Sequence, residues 1–429
     1  MTGRLRAVAE HPLLKGFGAY FASSILNRSI PLLLLPVLTR YLAPEDYGLL
    51  SVFQALMAFL VPVIGMNLHA NITRVYFREP LATTAGVVYN ALVVLLVSGA
   101  LGLAVLGAVV LVSGPVFGLP PSWLLALPLL AVTNMVGEMN LTILRNQQRP
   151  LAFAGYELSR TALDFGLTLL LVVAVGLGWQ GRAVGIAVAS AAVALASLVS
   201  MWRSGHVRPG LNRAHMNSIL GISLPLVPHA LGSALISFSD RVVLERTLGA
   251  AATGVYTVGY QFGTIMQLVV TALSRTWSPW FYKELAQDTL EARRRVARAT
   301  MAVAAALLVT AGLVTLAAGF LLPVLTPPEY HGATAYVGWV AFALALFGMY
   351  SLLHPHLVLI GKTAYLGAVT FSVALMNVAL TFFLVQRVGA IGAAQATFAA
   401  YLLLFVLVAA YVQRVHPMPW LAALRRSRD

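Results

Sequence analysis

The sequence predicts an all-α membrane protein with twelve transmembrane helices in two related halves, and three observations support this prediction. The chain has 429 residues, of which 59% are hydrophobic and only 10% are charged. Soluble domains carry roughly 25% charged residues, so most of this chain needs lipid as its solvent. Apolar stretches recur at the length of a transmembrane helix, and parts of the sequence repeat roughly two hundred residues later.

The twelve spans follow from the thickness of a bilayer. A hydrocarbon core about 30 Å thick needs about 20 mostly apolar residues per helix. Helices are favoured there because no water is present to satisfy the backbone. The predicted spans are roughly 14–39, 46–68, 83–112, 121–144, 151–177, 183–203, 216–239, 252–275, 296–322, 333–360, 363–386 and 389–413.

An internal repeat divides these spans into two sets of six. At an offset of 206 residues the matched pairs are Leu38 and Leu244, Arg40 and Arg246, Leu42 and Leu248, Gly48 and Gly254, and Val52 and Val258. At an offset of 213 they include Asp164 and Asn377, Thr168 and Thr381, and Leu171 and Leu384. Six is an even number, so both halves enter the membrane in the same sense, as parallel repeats with a substrate site expected between them. We therefore expect an N-terminal six-helix bundle over 1–207 and a C-terminal one over 208–429.

Lys and Arg residues predict the orientation of the chain. When the N-terminus is placed in the cytoplasm, the opposite side holds few basic residues. They are Arg40, Arg182, Arg246 and Arg387, with Arg241 at its edge. This positive-inside pattern predicts that both termini are cytoplasmic. The same pattern explains the net charge of +14, because the basic residues on the cytoplasmic side are expected to contact anionic lipid headgroups rather than nucleic acid.

The longest polar link, the lack of cysteine and the lack of catalytic motifs narrow the range of possible functions. The link 283–298 is expected to form a short amphipathic helix on the cytoplasmic face. The chain has no cysteine, which excludes disulfides and thiolate chemistry. No nucleophile elbow, zinc-protease helix or phosphate-binding loop is present, so we expect no enzyme, no cofactor and no metal site. No removable signal peptide is expected at the N-terminus.

Arginines in or near the spans are the first candidates for binding, because a charge at a helix centre costs about 3 kcal/mol on insertion. Arg28, beside Asn27, lies midway along the first span. It is a candidate for holding a phosphate bidentately in a wet cavity, or alternatively for pairing with an acid on a neighbouring helix. Arg241 is a second candidate, or it pairs with Glu245 one helical turn away.

Arg74 and Arg275 end the second spans of the two halves. They are candidates for the inner mouth of a transport pathway, although a role in setting topology explains them nearly as well.

Acidic residues in the spans are candidates for ion coupling, because burial raises the pKa of a carboxyl group toward neutrality. Glu157, Arg160 and Asp164 are spaced three and four apart and so share a helical face. The alternative is an ion-pair ladder that joins the fourth and fifth helices. The ion-coupling candidates are Asp164, Glu138, Glu157 and Asp240.

Three stretches carry a family resemblance. They are LPVLTRYLAPEDYGLLSVFQAL over 35–56, SDRVVLERTLGAAATGVYTVGYQF over 239–262 with the later Trp277-Ser278-Pro279, and GKTAYLGAVTFSVALMNVALTFFLVQRVGAIGAAQAT over 361–397. In this order and spacing they resemble the O-antigen-type polysaccharide-biosynthesis flippases. That family lies in the multidrug/oligosaccharidyl-lipid/polysaccharide exporter superfamily.

The resemblance implies that two six-helix bundles form a V around a central cationic cavity and move by alternating access. It implies translocation of a polyprenyl-pyrophosphate-linked oligosaccharide to the outer leaflet of the bacterial inner membrane, for O-antigen or other surface polysaccharide synthesis. The expected partners are the lipid-linked glycan, membrane lipids and a downstream polymerase or glycan-assembly machinery, without nucleic acid. The alternative is a cation-coupled exporter of drugs or small solutes from the same superfamily. The first span lacks the carboxylate that many drug-extruding relatives use, which favours the oligosaccharide branch.

Overall fold

The computed structural model describes residues 32–224, 227–287 and 289–420. Within those ranges the regular elements are helices. They are α1 Leu32–Tyr41, α2 Pro44–Gly65, α3 Leu68–Tyr76, α4 Leu81–Ser113, α5 Pro121–Asn146, α6 Pro150–Thr168, α7 Gly178–Arg203, α8 Arg213–Ser223, α9 Val227–Gly263, α10 Ile265–Leu285, α11 Leu290–Leu325, α12 Thr334–Leu359, α13 Thr363–Val388 and α14 Ile391–Val415. A π-helical segment, Leu169–Ala174, continues α6, and a 3₁₀ turn, Pro328–Ala333, precedes α12. The prediction of an all-α fold is confirmed.

Eight helices in the described ranges are long and apolar enough to cross a membrane, judged by length and composition. Large apolar side chains lie exposed along them, with Leu111 88% and Phe320 78% exposed. Exposed apolar surface of this extent suits lipid rather than water. The chain is a multi-pass membrane protein.

Local sequence determines where several helices begin. Pro44 occupies the first turn of α2, where its missing N–H is no loss, and Glu45 and Asp46 follow it at the positive end of the helix dipole. Asn212 caps α8, because its side-chain oxygen accepts a hydrogen bond from the backbone N of Ala214 at 2.9 Å.

The helices are interrupted at residues with unusual backbone angles. Met66 and Asn67 both have positive φ and separate α2 from α3. Gly249, with φ 85°, breaks α9. This break falls inside the predicted link over 240–251, but the link is shorter than expected, because Gly249 alone has non-helical backbone angles within α9. Asp240 is buried beside its counter-ion within the helix, so it does not mark the end of a span.

The two matched hairpins, α6–α7 and α13–α14, close in the same way. A Cβ atom at Gly181, in the first turn of α7, would lie 3.0 Å from the carbonyl carbon of Leu171. A Cβ atom at Gly392, in the first turn of α14, would lie 2.6 Å from the carbonyl carbon of Leu384. Leu171 and Leu384 are the residues that the repeat pairs, so the sequence repeat corresponds to a repeated packing contact.

The chain divides into two compact units between Ala234 and Leu235. The division of the sequence repeat at 207/208 stays a prediction. The compact units divide further along the chain because the linker after α7 packs against the N-terminal unit. Asn90 of α4 donates to Gly210 O at 2.9 Å and accepts from Asn212 N at 3.0 Å. Asn71 of α3 donates to Ser218 O at 3.1 Å. These bonds hold the linker and α8 against the N-terminal unit.

His206 fixes the start of this linker. One ring nitrogen lies 3.0 Å from Gln147 Nε2 at the end of α5, and the other lies 2.9 Å from Ser204 Oγ. The ring stacks on Tyr76 at 6.4 Å. Burial lowers the pKa of His206, with a smaller opposing effect from its hydrogen bond to Ser204.

The expected amphipathic helix over 283–298 is wrong. The segment contains the end of α10, a turn and the start of α11. Arg295 of α11 donates to Glu284 at 2.9 Å and to Gln287 at 2.8 Å, so it ties the two helix ends together. These bonds make the segment a helical hairpin.

Candidate functional site

The predicted binding arginines have different surroundings. Asn27 and Arg28 lie outside the described residues. Arg275 lies within α10, but its side chain is outside the described part of the structure. Arg74 is exposed in the last turn of α3. Arg241 is 4% exposed in α9.

Arg241 is held in a buried polar cluster. Its Nη1 donates to Asp240 Oδ1 at 2.6 Å and to Ser237 O at 2.5 Å. Its guanidinium lies 3.7 Å from the ring centroid of Tyr260, within cation–π range. Asp240 is 1% exposed, and its Oδ2 accepts a hydrogen bond from Tyr256 Oη at 2.5 Å. The charge of Arg241 is therefore fully compensated inside the C-terminal unit.

The expected pairing of Arg241 with Glu245 is wrong. Asp240 is the partner instead, although adjacent residues on a helix point in different directions. The Asp240 carboxylate turns toward the next peptide and accepts from the backbone N of Arg241 at 2.9 Å. The Arg241 side chain reaches back toward Ser237 and Tyr260, which brings its Nη1 within range of the same carboxylate oxygen.

A second buried ion pair lies in the N-terminal unit. Asp164 of α6 pairs with Arg182 of α7, which is only 6% exposed. Arg182 Nη1 also donates to Thr168 Oγ1 at 2.6 Å, and that hydroxyl donates to Asp164 O at 2.6 Å. The geometry favours the structural interpretation of Asp164, because the carboxylate already has a buried counter-ion.

The remaining members of the predicted acidic face have different partners. Arg160 Nη2 donates to Asn134 Oδ1 on α5 at 2.5 Å, so it joins the fourth and fifth predicted spans through a neutral amide rather than through the ion pair of the ladder alternative. Glu157 belongs to no such ladder: within the described ranges, its buried Oε2 has no hydrogen-bond partner. A buried carboxylate oxygen without a partner is costly when charged.

Glu138 lies near a histidine that the sequence did not single out. His69 of α3 experiences the charges of both Glu138 and Arg145 of α5. His69 Nδ1 is buried and makes no hydrogen bond to a described residue. His69 and Glu138 therefore interact electrostatically within the N-terminal unit.

Sequence reasoning missed Arg182, Tyr256 and Tyr260. The positive-inside count places Arg182 on the outer side, directly before the predicted span 183–203, and no pattern in the sequence indicates that it is buried. Tyr256 and Tyr260 are one turn apart, a spacing that marks a shared face. Tyr256 follows Asp240 by 16 residues, so their hydrogen bond depends on the break in the helix at Gly249.

The comparisons with known proteins begin with a family. The family described as polysaccharide biosynthesis protein matches residues 13–284, more than half of the chain. Protein 1 of the Lsg locus of Haemophilus influenzae is 23% identical over 275 residues, covering 63% of this chain and 66% of that protein. An uncharacterized membrane protein of the same organism is 22% identical over 289 residues, covering 65% and 67%. The chain thus spans about two thirds of the length of these relatives.

Solved structures share the fold. An inward-facing multidrug resistance MATE family transporter of the MOP superfamily has a TM-score of 0.68 at 14% identity, covering 90% of this chain and 94% of that one. The lipid II flippase MurJ, in an inward closed conformation, has a TM-score of 0.62 at 15% identity, covering 93% and 87%. At these identities the likeness concerns the fold alone. The family match is what assigns the chain, which belongs to the polysaccharide biosynthesis protein family.

Proposed function

We propose that this protein is a flippase that moves a polyprenyl-pyrophosphate-linked oligosaccharide from the cytoplasmic to the outer leaflet of the bacterial inner membrane. The observation that carries the proposal is that a polysaccharide biosynthesis protein has a fold shared with a lipid II flippase and with MATE transporters. A pyrophosphate and a sugar repeat cannot cross hydrocarbon without compensation for their polar groups. A glycan assembled on the cytoplasmic leaflet therefore requires a protein of this kind.

In this proposal Arg28 is the principal ligand of the pyrophosphate, with Asn27 beside it and Arg74 and Arg275 near the inner mouth. A guanidinium suits a diphosphate because its planar fork can donate two parallel hydrogen bonds. Arg241 has a secondary role, since its buried pair with Asp240 must open before it can bind an anion. The two halves alternate between inward and outward states, and the headgroup must bind the two states differently to bias them.

Coupling to an ion gradient is assigned first to Glu157. Its buried oxygen lacks a hydrogen-bond partner among the described residues, whereas Asp164 and Asp240 both have arginine partners. Protonation would relieve an uncompensated charge at Glu157, but at Asp164 or Asp240 it would break an ion pair. Glu138, near His69, is the second candidate. Removal of the product by a downstream polymerase is the alternative driving force and needs no coupling residue.

The experiment is complementation of a strain from which this gene is deleted. The deletion should remove surface glycan and cause lipid-linked intermediates to accumulate. We expect Arg28→Ala to restore less than a tenth of wild-type surface glycan, because the ligand for the pyrophosphate is missing. Arg40→Ala, which alters an exposed arginine directly after the first predicted span, should restore surface glycan fully.

Two results would contradict the proposal. Full surface glycan with Arg28→Ala, at protein levels equal to wild type, would remove the principal ligand. Normal glycan in the deletion strain, together with increased sensitivity to toxic cations, would identify an exporter of small solutes instead.

A further inference from the structure

Helix α11 is longer than a bilayer core requires. It has 36 residues, which at 1.5 Å per residue is roughly 54 Å, whereas the hydrocarbon core is about 30 Å thick. The excess places the first turns of α11, near its hairpin with α10, at the level of the lipid headgroups. In the predicted orientation this end is cytoplasmic.

One face of α11 presents a continuous exposed stripe. Its members alternate in steps of three and four residues, which keeps them on one side of a helix. The apolar members are Ala302, Ala305, Val309, Leu313, Leu316 and Phe320. Each of the last four is 60% exposed or more. Ala302 and Ala305 are also exposed, and their small side chains leave an open strip of helix surface at this position.

Two arginines continue this stripe into the headgroup region. Arg294 and Arg298 are exposed, lie one turn apart and precede Ala302 by the same spacing. Neither side chain forms an ion pair or hydrogen bond with a described residue. The intervening Arg295 is different, because it is bound by Glu284 and Glu291 at 2.9 and 3.0 Å.

We infer that this face of α11 is a binding site for an anionic phospholipid of the adjacent leaflet. The phosphate lies between the guanidinium groups of Arg294 and Arg298, and an acyl chain runs along the apolar stripe. Charge complementarity selects this occupant: two uncompensated cations favour an anionic headgroup over a zwitterionic one. The C-terminal residues of the chain itself are poorly suited to cover the face, since 421–429 contains Arg425, Arg426 and Arg428. The inference does not rest on the proposed flippase activity.

The test titrates phosphatidylglycerol into the detergent-solubilised full chain and follows its thermal unfolding. A lipid that binds the folded state raises the unfolding midpoint with concentration. We expect the concentration that gives half the maximal rise to increase roughly 30-fold in the double variant Arg294→Gln/Arg298→Gln, because about 1 kcal/mol per arginine corresponds to about fivefold for each. The matched control, Arg208→Gln/Arg213→Gln, removes two other exposed arginines and should leave the titration unchanged.

A second variant tests the acyl chain separately. Ala305→Phe fills the strip without altering charge and should weaken phosphatidylglycerol binding while preserving the midpoint measured in phosphatidylcholine. An unchanged phosphatidylglycerol titration in the arginine double variant would overturn the inference. Equal stabilisation by phosphatidylcholine would also overturn it. Stabilisation by inorganic pyrophosphate that disappears in the same double variant would overturn the lipid assignment, since it would identify a site for a free phosphate group.

Discussion

The Asp240–Arg241 pair allows a direct measurement of how much a buried ion pair contributes to the free energy of unfolding. Asp240→Asn keeps the size of the side chain and its capacity to accept from Tyr256, but it leaves the Arg241 guanidinium without a counter-ion. Both residues are less than 5% exposed. Removing one partner of a buried ion pair typically costs 3–5 kcal/mol. Arg241 keeps Ser237 O and the Tyr260 ring, so we expect the lower end, about 3 kcal/mol.

The assay is a double-mutant cycle measured by unfolding in mixed micelles, with Trp fluorescence as the signal. Asp240→Asn and Arg241→Leu should each be strongly destabilising, whereas the double variant should lose clearly less than the sum, because neither charge then remains unpaired. Glu329→Gln alters an exposed carboxylate and should change the free energy of unfolding by less than about 0.5 kcal/mol.

The same variants separate structure from transport. If the pair is structural, the double variant should support surface glycan in the deletion strain once its protein level matches wild type. Loss of glycan at equal protein level would return Arg241 to the binding residues. A change below about 0.5 kcal/mol for Asp240→Asn, or strict additivity in the cycle, would refute the claim that the two charges compensate each other.

Three further predictions concern packing, linker protonation and coupling. Gly259→Ala should destabilise the protein by about 1–3 kcal/mol in the same unfolding assay, because the new Cβ would lie 2.3 Å from Ala333 O. Gly312 has open space around it, so Gly312→Ala should be neutral or stabilising by up to about 1 kcal/mol. Equal effects of the two substitutions would contradict this. The thermal midpoint should fall as pH drops below about 6.5, because the pKa of His206 is lowered in the folded state and the unfolded chain therefore binds the proton first. His206→Gln should reduce this dependence of the midpoint on pH. The same pH dependence in the variant would exclude His206 as its source. In proteoliposomes Glu157→Gln should abolish stimulation of flipping by a pH gradient while Glu329→Gln retains it, and stimulation that persists in Glu157→Gln would exclude proton coupling through this residue.

Much of the architecture could be predicted because it depends on local properties. The predicted spans 83–112 and 121–144 lie within two residues of α4 and α5, since hydrophobic length and flanking prolines determine both ends. The offset of 213 residues pairs Leu171 with Leu384, and in the structure a glycine packs against the backbone of each. These features are visible in sequence because each depends on residues that are close together in the chain.

The predictions failed where a charged side chain forms an ion pair that the sequence pattern does not indicate. Asp240 was expected near the end of a span, but a charge that is neutralised by its neighbour can remain inside a helix. The charged segment 283–298 was expected to form one separate amphipathic helix. Instead Arg295 binds Glu284 and folds the ends of two helices against each other. Pairing of this kind is set by side-chain direction across elements, which composition and spacing do not specify.

The two units compensate buried charge in different places, and this difference separates the paired residues from those that the proposed function needs for coupling. In the N-terminal unit Arg182 neutralises Asp164. The repeat places Asn377 at the position of Asp164, and an amide needs no counter-ion, so the C-terminal unit requires no arginine there. It holds its own pair at Asp240 and Arg241 instead. In the proposed cycle, charges that are compensated within a unit contribute little to the free-energy difference between inward and outward states. The transport cycle should therefore depend on the charges that neither unit neutralises, which makes Glu157 a stronger coupling candidate than either paired aspartate.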